Sequence, residues 1–373
     1  MKILLGGIGG FAAGYIKSLL ANENKDVVWA GAVDPYISEE TKALLAEHNV
    51  PVYDSMDAYY ETQTADLAVI CTPTYLHKQQ CICALSKGSN VLCEKPLAPT
   101  EAEGREMLAA EQQYGKFIAI GFQWSYTKAI LDLKQDIMYG VLGAPVSMKT
   151  VICWPRNLVY FGRSTGWAGK ITHNGNLVLD SIASNACAHY LHNMLFLLGN
   201  RLDESAEVVK LEGQCCRANA IENFDTCTLR METGDGVRLY FGAAHPTDAF
   251  RNPVFEYTFQ KAVVNYATAK DAHIVATFAD GTQKDYGDPL GATDFSKLWL
   301  CVDAIRKGEK PVCTAKTALP HAMCIEKIYK EIPIEQIPQE EIRFNEEKNR
   351  LEVEGLFENM WEAYQNEKLL SEV

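Results

Sequence analysis

The chain has 373 residues, too many for one ordinary hydrophobic core, and a prior of about 150 residues per domain points to two domains. Hydrophobic residues at 47% and charged residues at 22% are the proportions of a water-soluble globular protein. With 35 Lys and Arg against 48 Asp and Glu, the net charge of -13 excludes the basic footprint of a nucleic-acid or anionic-membrane binder.

In chain order, Met1 to Gly10 has one basic residue and a short apolar run, a poor signal peptide. No stretch reaches the roughly 20 apolar residues of a membrane span, and a cytoplasmic location is expected. Lys2 to Leu5 reads as a strand, and a helical pattern follows through Leu20. Between them, Gly7-x-Gly9-x-x-Ala12 fits the dinucleotide fingerprint. Gly7 allows the tight turn, Gly9 the approach of a pyrophosphate to the backbone and Ala12 the packing of helix on strand, with Gly10 and Phe11 completing the loop. A helix start holds phosphate through backbone N–H groups, so the acidic balance is no obstacle. Taken alone, the loop is equally a plain strand-to-helix turn.

The next apolar run, Val27 to Val33, ends in Asp34. An acid about 20 residues beyond such a loop binds the adenosine ribose hydroxyls, and its charge repels a 2′-phosphate, so NAD is expected rather than NADP. The plainer use of Asp34 with Pro35 is to start a turn. Strands at Leu67 to Cys71, Asn90 to Cys93 and Phe117 to Ile120 alternate with helices at Tyr75 to Lys87 and Thr100 to Tyr114, which predicts a parallel sheet. Thr72 and Pro73 follow one strand and His77 lies just inside the next helix, positions that would line the nicotinamide half of a dinucleotide site; Thr74 suits a helix N-cap. The strand ending at Cys93 delivers Glu94, Lys95 and Pro96 at its carboxyl end, where open parallel sheets bind ligands, and the proline biases Lys95 toward an extended backbone.

These residues resemble the Gfo/Idh/MocA family, the glucose-fructose oxidoreductases and inositol dehydrogenases. The likeness rests on the glycine loop, Asp34, Thr72-Pro73 to His77, Ala84-Leu85-Ser86-Lys87-Gly88 and above all Cys93-Glu94-Lys95-Pro96-Leu97-Ala98, and covers roughly the first third of the chain. It implies an NAD-dependent oxidoreductase transferring a hydride between nicotinamide and a secondary alcohol or ketone of a sugar, cyclitol or related polyol. It also implies a homodimer or homotetramer built through the sheet of a second domain. The expected architecture is α/β: a Rossmann doubly wound parallel sheet over residues 1–122, then an α+β domain over 123–373 with a large, mostly antiparallel open sheet.

The second half reads accordingly. Strands are expected at Gly143 to Ile152, Glu207 to Cys216, Thr226 to Glu232, Gly236 to Ala243, Val254 to Ala267 and His273 to Phe278, with hairpins at Gly234-Asp235-Gly236 and Asp280-Gly281. Helices are expected at Phe295 to Lys307, Thr317 to Ile332 and Leu351 to Leu369, with Glu335 to Asn349 a solvated connection. The twelve cysteines form no C-x-x-C pair, which suits reduced, buried thiols and no metal site.

His189 to Gly199 reads as a helix ended by glycine, with His189 and His192 one turn apart. For either, a buried structural histidine is the plainer alternative. The resemblance assigns His189 to a family histidine facing nicotinamide and substrate, and His192 to a position where the family often has a second aspartate. Asp180 matches the first family aspartate if Ser181 to Cys187 contains an insertion; otherwise Asn185 takes that place. Gln123, Trp124, Tyr126, Trp154, Arg156, Tyr160, Arg163 and Trp167 supply rings and guanidinium groups suited to a sugar or cyclitol, unless most of the rings are interface core.

The mechanism expected from this set has His189 as general base, Lys95 on the reacting oxygen, Asp180 orienting substrate or tuning Lys95, and Glu94 bracing the strand end. Two alternatives use the same fold: an NAD-dependent glycosidase that oxidises its substrate transiently, and a non-catalytic sensor of dinucleotide or sugar.

Overall fold

Short apolar strands, each followed by a turn and a helix start, build the first part of the chain. In the computed structural model, which describes residues 1–163, 166–269, 272–290 and 295–373, these are β1 (Lys2–Gly6), α1 (Ala12–Leu20), β2 (Val28–Val33), α2 (Glu39–Glu47), β3 (Val52–Tyr53), α3 (Met56–Thr62), β4 (Leu67–Ile70), α4 (Thr74–Ser86), β5 (Asn90–Cys93), α5 (Glu101–Tyr114) and β6 (Ile118–Ile120). The strands form one sheet in the order β3-β2-β1-β4-β5-β6, parallel throughout. Every residue of β4 and β5 is buried, the continuous apolar reading of strands covered on both faces. Ser38, Ser55 and Thr100 cap α2, α3 and α5 by accepting from the backbone N–H groups of Thr41, Ala58 and Glu103. Thr74 is the first residue of α4 rather than its cap, and Pro73, in the cap position, makes no side-chain bond.

The chain divides into two units, Met1–Tyr126 with Ala292–Leu319, and Thr127–Gly291 with Pro320–Val373. The expected single boundary at residue 122 therefore changes in one respect: a late segment returns to the first unit. The cause is the helix Ser296–Lys307, whose Leu298, Cys301 and Val302 complete the core made by Ile3, Leu5, Leu92 and Ala119. Beyond it, Cys313 accepts from the Ile120 N–H at 2.9 Å and Thr314 bridges Ala119, which covers the β6 edge. The sequence pattern missed α2, β3 and α3 in this unit; α2 buries only Leu45 and β3 has two residues, whereas α3 buries Met56, Tyr59 and Tyr60.

The second unit is built on a nine-stranded sheet. Its spatial order is Gln283–Gly287, Ile274–Phe278, Ala262–Ala267, Arg251–Phe259, Pro145–Cys153, Arg238–Ala244, Thr226–Thr233, Val208–Arg217 and Ile334–Gln336. Neighbours are antiparallel except at two pairings, Pro145–Cys153 with Arg238–Ala244 and Val208–Arg217 with Ile334–Gln336. The run expected as one strand from Val254 to Ala267 is two, because Gln260 and Lys261 turn there and donate to Ala144 and Leu142. The acidic stretch expected as a solvated connection, Glu335 to Asn349, holds most of the edge strand Ile334–Gln336 and the strand Ile342–Asn345, which pairs with Arg350–Val353, so the helix expected from Leu351 begins at Leu356. An unanticipated helix, Lys128–Met138, buries Ala129, Ile130, Leu133 and Lys134. The last helix, Leu356–Asn366, packs Met360, Ala363 and Tyr364 against Val151, Tyr240 and Ala244 of the sheet. Among the described residues no helix is long and apolar enough to cross a membrane.

Glu111 of α5 is buried and accepts from the Ile118 N–H at 2.5 Å. Burial pushes its carboxyl up to about 7, against the opposing pull of that N–H. Because the folded state then binds a proton that the unfolded chain has already released, stability falls as pH rises from about 4.5, where a glutamate ordinarily titrates, toward about 7. Glu111→Gln keeps the acceptor and removes the charge. Thermal denaturation should show the variant unchanged near pH 4 and several degrees more stable near pH 8; a variant that melts lower at pH 8 would contradict the assignment.

Candidate active site

The order of the first sheet reverses between β1 and β4, and ligands of such sheets bind outside the carboxyl ends at that switch. Gly7, directly after β1, has φ +79°, and a Cβ there would lie 2.8 Å from the Cys71 carbonyl carbon after β4. Glycine is therefore required for the loop to pass. Gly9, Gly10 and Phe11 are exposed just before α1, and a Cβ on either glycine would meet nothing within 4 Å. Among the described residues none accepts a hydrogen bond from the backbone N–H groups of Gly9, Gly10 or Phe11. A helix start with open donors fits a pyrophosphate.

Asp34, at the end of β2, turns its carboxylate back to the loop. One oxygen accepts from the Ile8 N–H at 2.9 Å and the other from the Tyr36 N–H at 2.9 Å. The turn-forming role does not exclude the dinucleotide role, since each oxygen retains a lone pair that a ribose hydroxyl could use. Its negative charge beside the loop fits a free 2′-hydroxyl rather than a 2′-phosphate.

After β5, Lys95 is partly exposed while Glu94 and Pro96 are buried, and the Lys95–Pro96 peptide is cis. Glu94 is the anchor of this turn. One carboxylate oxygen accepts from Tyr15 Oη at 2.7 Å and pairs with Lys297 Nζ at 2.8 Å; the other accepts from the Lys95 N–H at 3.3 Å. Lys297 is 1% exposed and also donates to the Gly121 carbonyl at 3.3 Å. Gly121 leaves room for the pair, because a Cβ there would sit 2.6 Å from the carboxylate. Burial, and then the Glu94 charge, hold the Tyr15 hydroxyl well above its ordinary pKa, so it stays a donor. Tyr15 lies on α1, so the helix that begins at the glycine loop is bonded to the residue before Lys95.

Glu94 and His77, expected among the cofactor-binding residues, are both committed to protein groups. His77 is 1% exposed, with Nδ1 2.9 Å from the Pro96 carbonyl and Nε2 2.9 Å from the Thr72 carbonyl. It ties the turn after β4 to the turn after β5. Burial draws its pKa down, opposed by the carbonyls. Thr72 and Pro73 are partly exposed, and Thr72 Oγ1 donates to Gln80 at 2.6 Å. Trp124, expected to touch substrate, is only 2% exposed.

In the second unit, Asp180 is buried with its two oxygens engaged. Oδ2 accepts from the Gly169 N–H at 2.7 Å and Oδ1 from Asn185 Nδ2 at 2.7 Å, with Arg163 Nη2 at 3.9 Å. Between Asp180 and His189 the chain makes a π-helical turn, Ile182–Ala186, closed by Cys187 N–H on the Ile182 carbonyl at 2.8 Å. Such turns add a residue without breaking the chain's path and recur at functional sites. It folds Asn185 back onto Asp180, so the two alternatives for one position are hydrogen-bonded neighbours.

His189 opens the helix Ala188–Leu197 and is partly exposed beside the Tyr190 ring. His192 is 1% exposed, stacked on Phe196 and edge-on to His321. Burial, followed by His321 and Lys134, pushes its pKa well down. The expectation of His192 as a substrate contact gives way to a core histidine, because this helix is buried on nearly every side. Lys134 Nζ donates to the Phe196 carbonyl at 2.6 Å and to the Glu204 carbonyl, a cation at the carboxyl end of the His189 helix. Tyr160, Arg163 and Trp167 come together, with the Arg163 guanidinium 4.4 Å from the Tyr160 ring and 4.9 Å from the Trp167 ring.

Residues 1–122 match the family model GFO_IDH_MocA, described as an oxidoreductase family with an NAD-binding Rossmann fold. They belong to that family. A 2,7-anhydro-N-acetylneuraminate hydratase of Mediterraneibacter gnavus is 28% identical over 130 residues, 35% of this chain and 35% of the relative. An inositol 2-dehydrogenase of Streptomyces avermitilis is 29% identical over 168 residues, 42% of this chain and 46% of the relative. The matches thus span less than half the length of these curated relatives. The likeness in fold runs further: the crystal structure of the WlbA dehydrogenase from Bordetella pertussis, in complex with NADH and UDP-GlcNAcA, superposes with a TM-score of 0.70 over 88% of this chain and 95% of the other, at 19% identity.

Within the first unit, the residue that sequence reading missed is Lys297, the cation that holds Glu94. The signal was present: on the helix Ser296–Lys307 it falls on the stripe of Leu298, Cys301 and Val302, a lysine on an apolar face. A buried pair loses most when one partner is removed, since the other charge is left unpaired. Lys297→Met is expected to cost about 3–5 kcal/mol in urea unfolding. The double variant Glu94→Gln with Lys297→Met should recover most of that loss, and a double variant no more stable than the single one would show that the pairing is not the source.

Proposed function

We propose that the chain is an NAD-dependent oxidoreductase that interconverts a secondary alcohol and a ketone on a sugar or polyol. The observation that carries this reading is the Glu94-Lys95-Pro96 turn, at the carboxyl end of a Rossmann strand and locked to the helix of the glycine loop through Tyr15. Gly9, Gly10 and Phe11 would hold the pyrophosphate, Asp34 the ribose hydroxyls, and Thr72 and Pro73 the nicotinamide half. NAD, when bound, supplies the two-electron acceptor for the alcohol carbon, or the donor in reverse.

The protein's own task is to bind the alcohol, orient it and move its proton. Lys95 hydrogen-bonds the reacting oxygen and stabilises the negative charge that develops there; its backbone is held by Glu94 and its neighbour Pro96 by His77. His189 accepts the hydroxyl proton at an imidazole nitrogen. Asp180 orients, and its bonds to Gly169 and Asn185 support that role. Relatives named for inositol oxidation, and for a dehydrogenase solved with NADH and a nucleotide sugar, support a hydroxylated ring as substrate.

The hydratase among the relatives favours a second reading in which the oxidation is transient. The ketone acidifies the neighbouring C–H, a leaving group departs as its proton is taken, water adds, and the two electrons return to the same carbon. The two readings part on stoichiometry: net oxidation releases one NADH per substrate, and the transient route accumulates none. In either case Lys95→Met should lower kcat by about 10²–10⁴ with NAD affinity retained, read by NADH absorbance or product formation and by calorimetry. Near-normal turnover in that variant would remove Lys95 from the reaction.

A further inference from the structure

We infer that Arg156 and Arg163 form a seat for an oxyanion carried by the substrate, so that the preferred substrate is an acidic or phosphorylated sugar rather than a neutral polyol; this rests on the reading that Asp180 serves the substrate. The two guanidinium groups share one ring. Arg156 Cζ lies 4.8 Å and Arg163 Cζ 4.4 Å from the Tyr160 centroid, with Trp154 5.7 Å from the first and Trp167 4.9 Å from the second. Stacking occupies the faces of a guanidinium and leaves its N–H edges to be satisfied.

Part of those edges lacks an acceptor among the described residues, although Arg163 also hydrogen-bonds the Tyr160 hydroxyl. Arg156 Nε, Arg163 Nε and Nη2, and Trp167 Nε1 are enclosed by protein and have no hydrogen-bond partner among the described residues. Buried donors of this kind need an acceptor. The acidic groups nearby are already engaged. Asp180 lies 3.9 Å from Arg163 Nη2 but bonds Gly169 and Asn185, and the Asp225 carboxylate accepts from Ala218, Asn219 and Thr226. Among the described residues no acidic side chain is within ion-pair distance of Arg156. His245, edge-on to Tyr160 and Phe161, adds no positive charge at neutral pH, since burial pushes it down to about 3.

The cluster therefore carries two cations, one committed anion and, at Arg156 Nε, Arg163 Nε and Nη2 and Trp167 Nε1, donors without an acceptor among the described residues. A sugar hydroxyl both donates and accepts and would leave the charge unbalanced. A carboxylate or a phosphate monoester only accepts, and its oxygens match the planar fork of arginine. The shared chemistry is an oxyanion on a ring, and the two sources differ in charge and shape.

The test is calorimetric titration of the full chain, loaded with NADH, with glucose, glucuronate, N-acetylneuraminate and glucose 6-phosphate, beside an assay of NADH formation from the same sugars with NAD. At least one acidic or phosphorylated sugar should bind tenfold or more tightly than glucose, and which one binds separates carboxylate from phosphate. Arg156→Gln and Arg163→Gln should each lower that ratio tenfold or more, and Arg163→Lys should restore part of it. The ratio is taken only from variants whose circular dichroism matches the parent. Binding of glucose as tight as that of every anionic sugar, or no binding of any anionic sugar, overturns the inference. Anion-selective binding without oxidation of any sugar would keep this seat and remove the dehydrogenase reading; oxidation of glucose with no preference for an anion would do the reverse.

Discussion

A carboxylate buried beneath the turn that carries Lys95 is the constraint on which the first unit depends. Glu94 is 8% exposed, and an unpaired charge at such a depth is untenable. Three groups from separate parts of the chain remove the difficulty: Tyr15 from the helix of the glycine loop, Lys297 from the late returning helix, and the backbone N–H of Lys95. Satisfying one carboxylate therefore fixes three elements relative to each other. The partly exposed Lys95 gains a stiff base by this means, and His77 stiffens it from the other side through the carbonyl of Pro96.

That requirement also explains why the chain returns to its first unit after the large sheet is made. The helix Ser296–Lys307 supplies apolar area to the Rossmann core and, on the same face, the cation for Glu94. Either contribution alone is available from many helices. Together they demand this helix in one register, since a shift by one residue would carry Lys297 out of reach of the carboxylate and the apolar stripe out of the core. The aromatic group of Phe11, Tyr15 and Phe295 sits around this lysine, with Nζ 5.1 Å from the Phe11 ring and 5.7 Å from the Tyr15 ring, so the low-dielectric surround is itself partly cation-binding.

What could be read from the sequence was what acts locally. The glycine loop, Asp34 and the Glu94-Lys95-Pro96 turn announce themselves because a tight turn, a strand end and a proline each constrain their own neighbours. The alternation of strand and helix gave the parallel sheet for the same reason. Partners far apart in the chain left fainter marks: Lys297 is two hundred positions from Glu94 in order of magnitude, and only its place on an apolar stripe betrays it. The helix Lys128–Met138 escaped because its buried face contains Lys134, which looks polar in sequence and is consumed by the carbonyls at the end of another helix. His192 misled in the opposite direction. A histidine one turn from His189 reads as a second site residue, whereas the helix offers solvent on almost no side and turns His192 into the core. At Asp180 the choice between it and Asn185 could not be made from spacing, because a π-helical turn brings both to one place.

Charge gives a last lesson in scale. A net charge of -13 sets the chain's long-range field and rules on polyelectrolyte partners. It does not decide what a site a few ångströms across will bind, because screening confines that question to the groups within about 10 Å. Around Tyr160 the local count is opposite in sign to the whole, with two guanidinium groups and one carboxylate already hydrogen-bonded elsewhere. At the glycine loop no basic side chain is needed, since open backbone N–H groups do the work. An acidic protein can in this way carry two anion-receptive places, one made of backbone and one of arginine on aromatic rings, without either being visible in its composition.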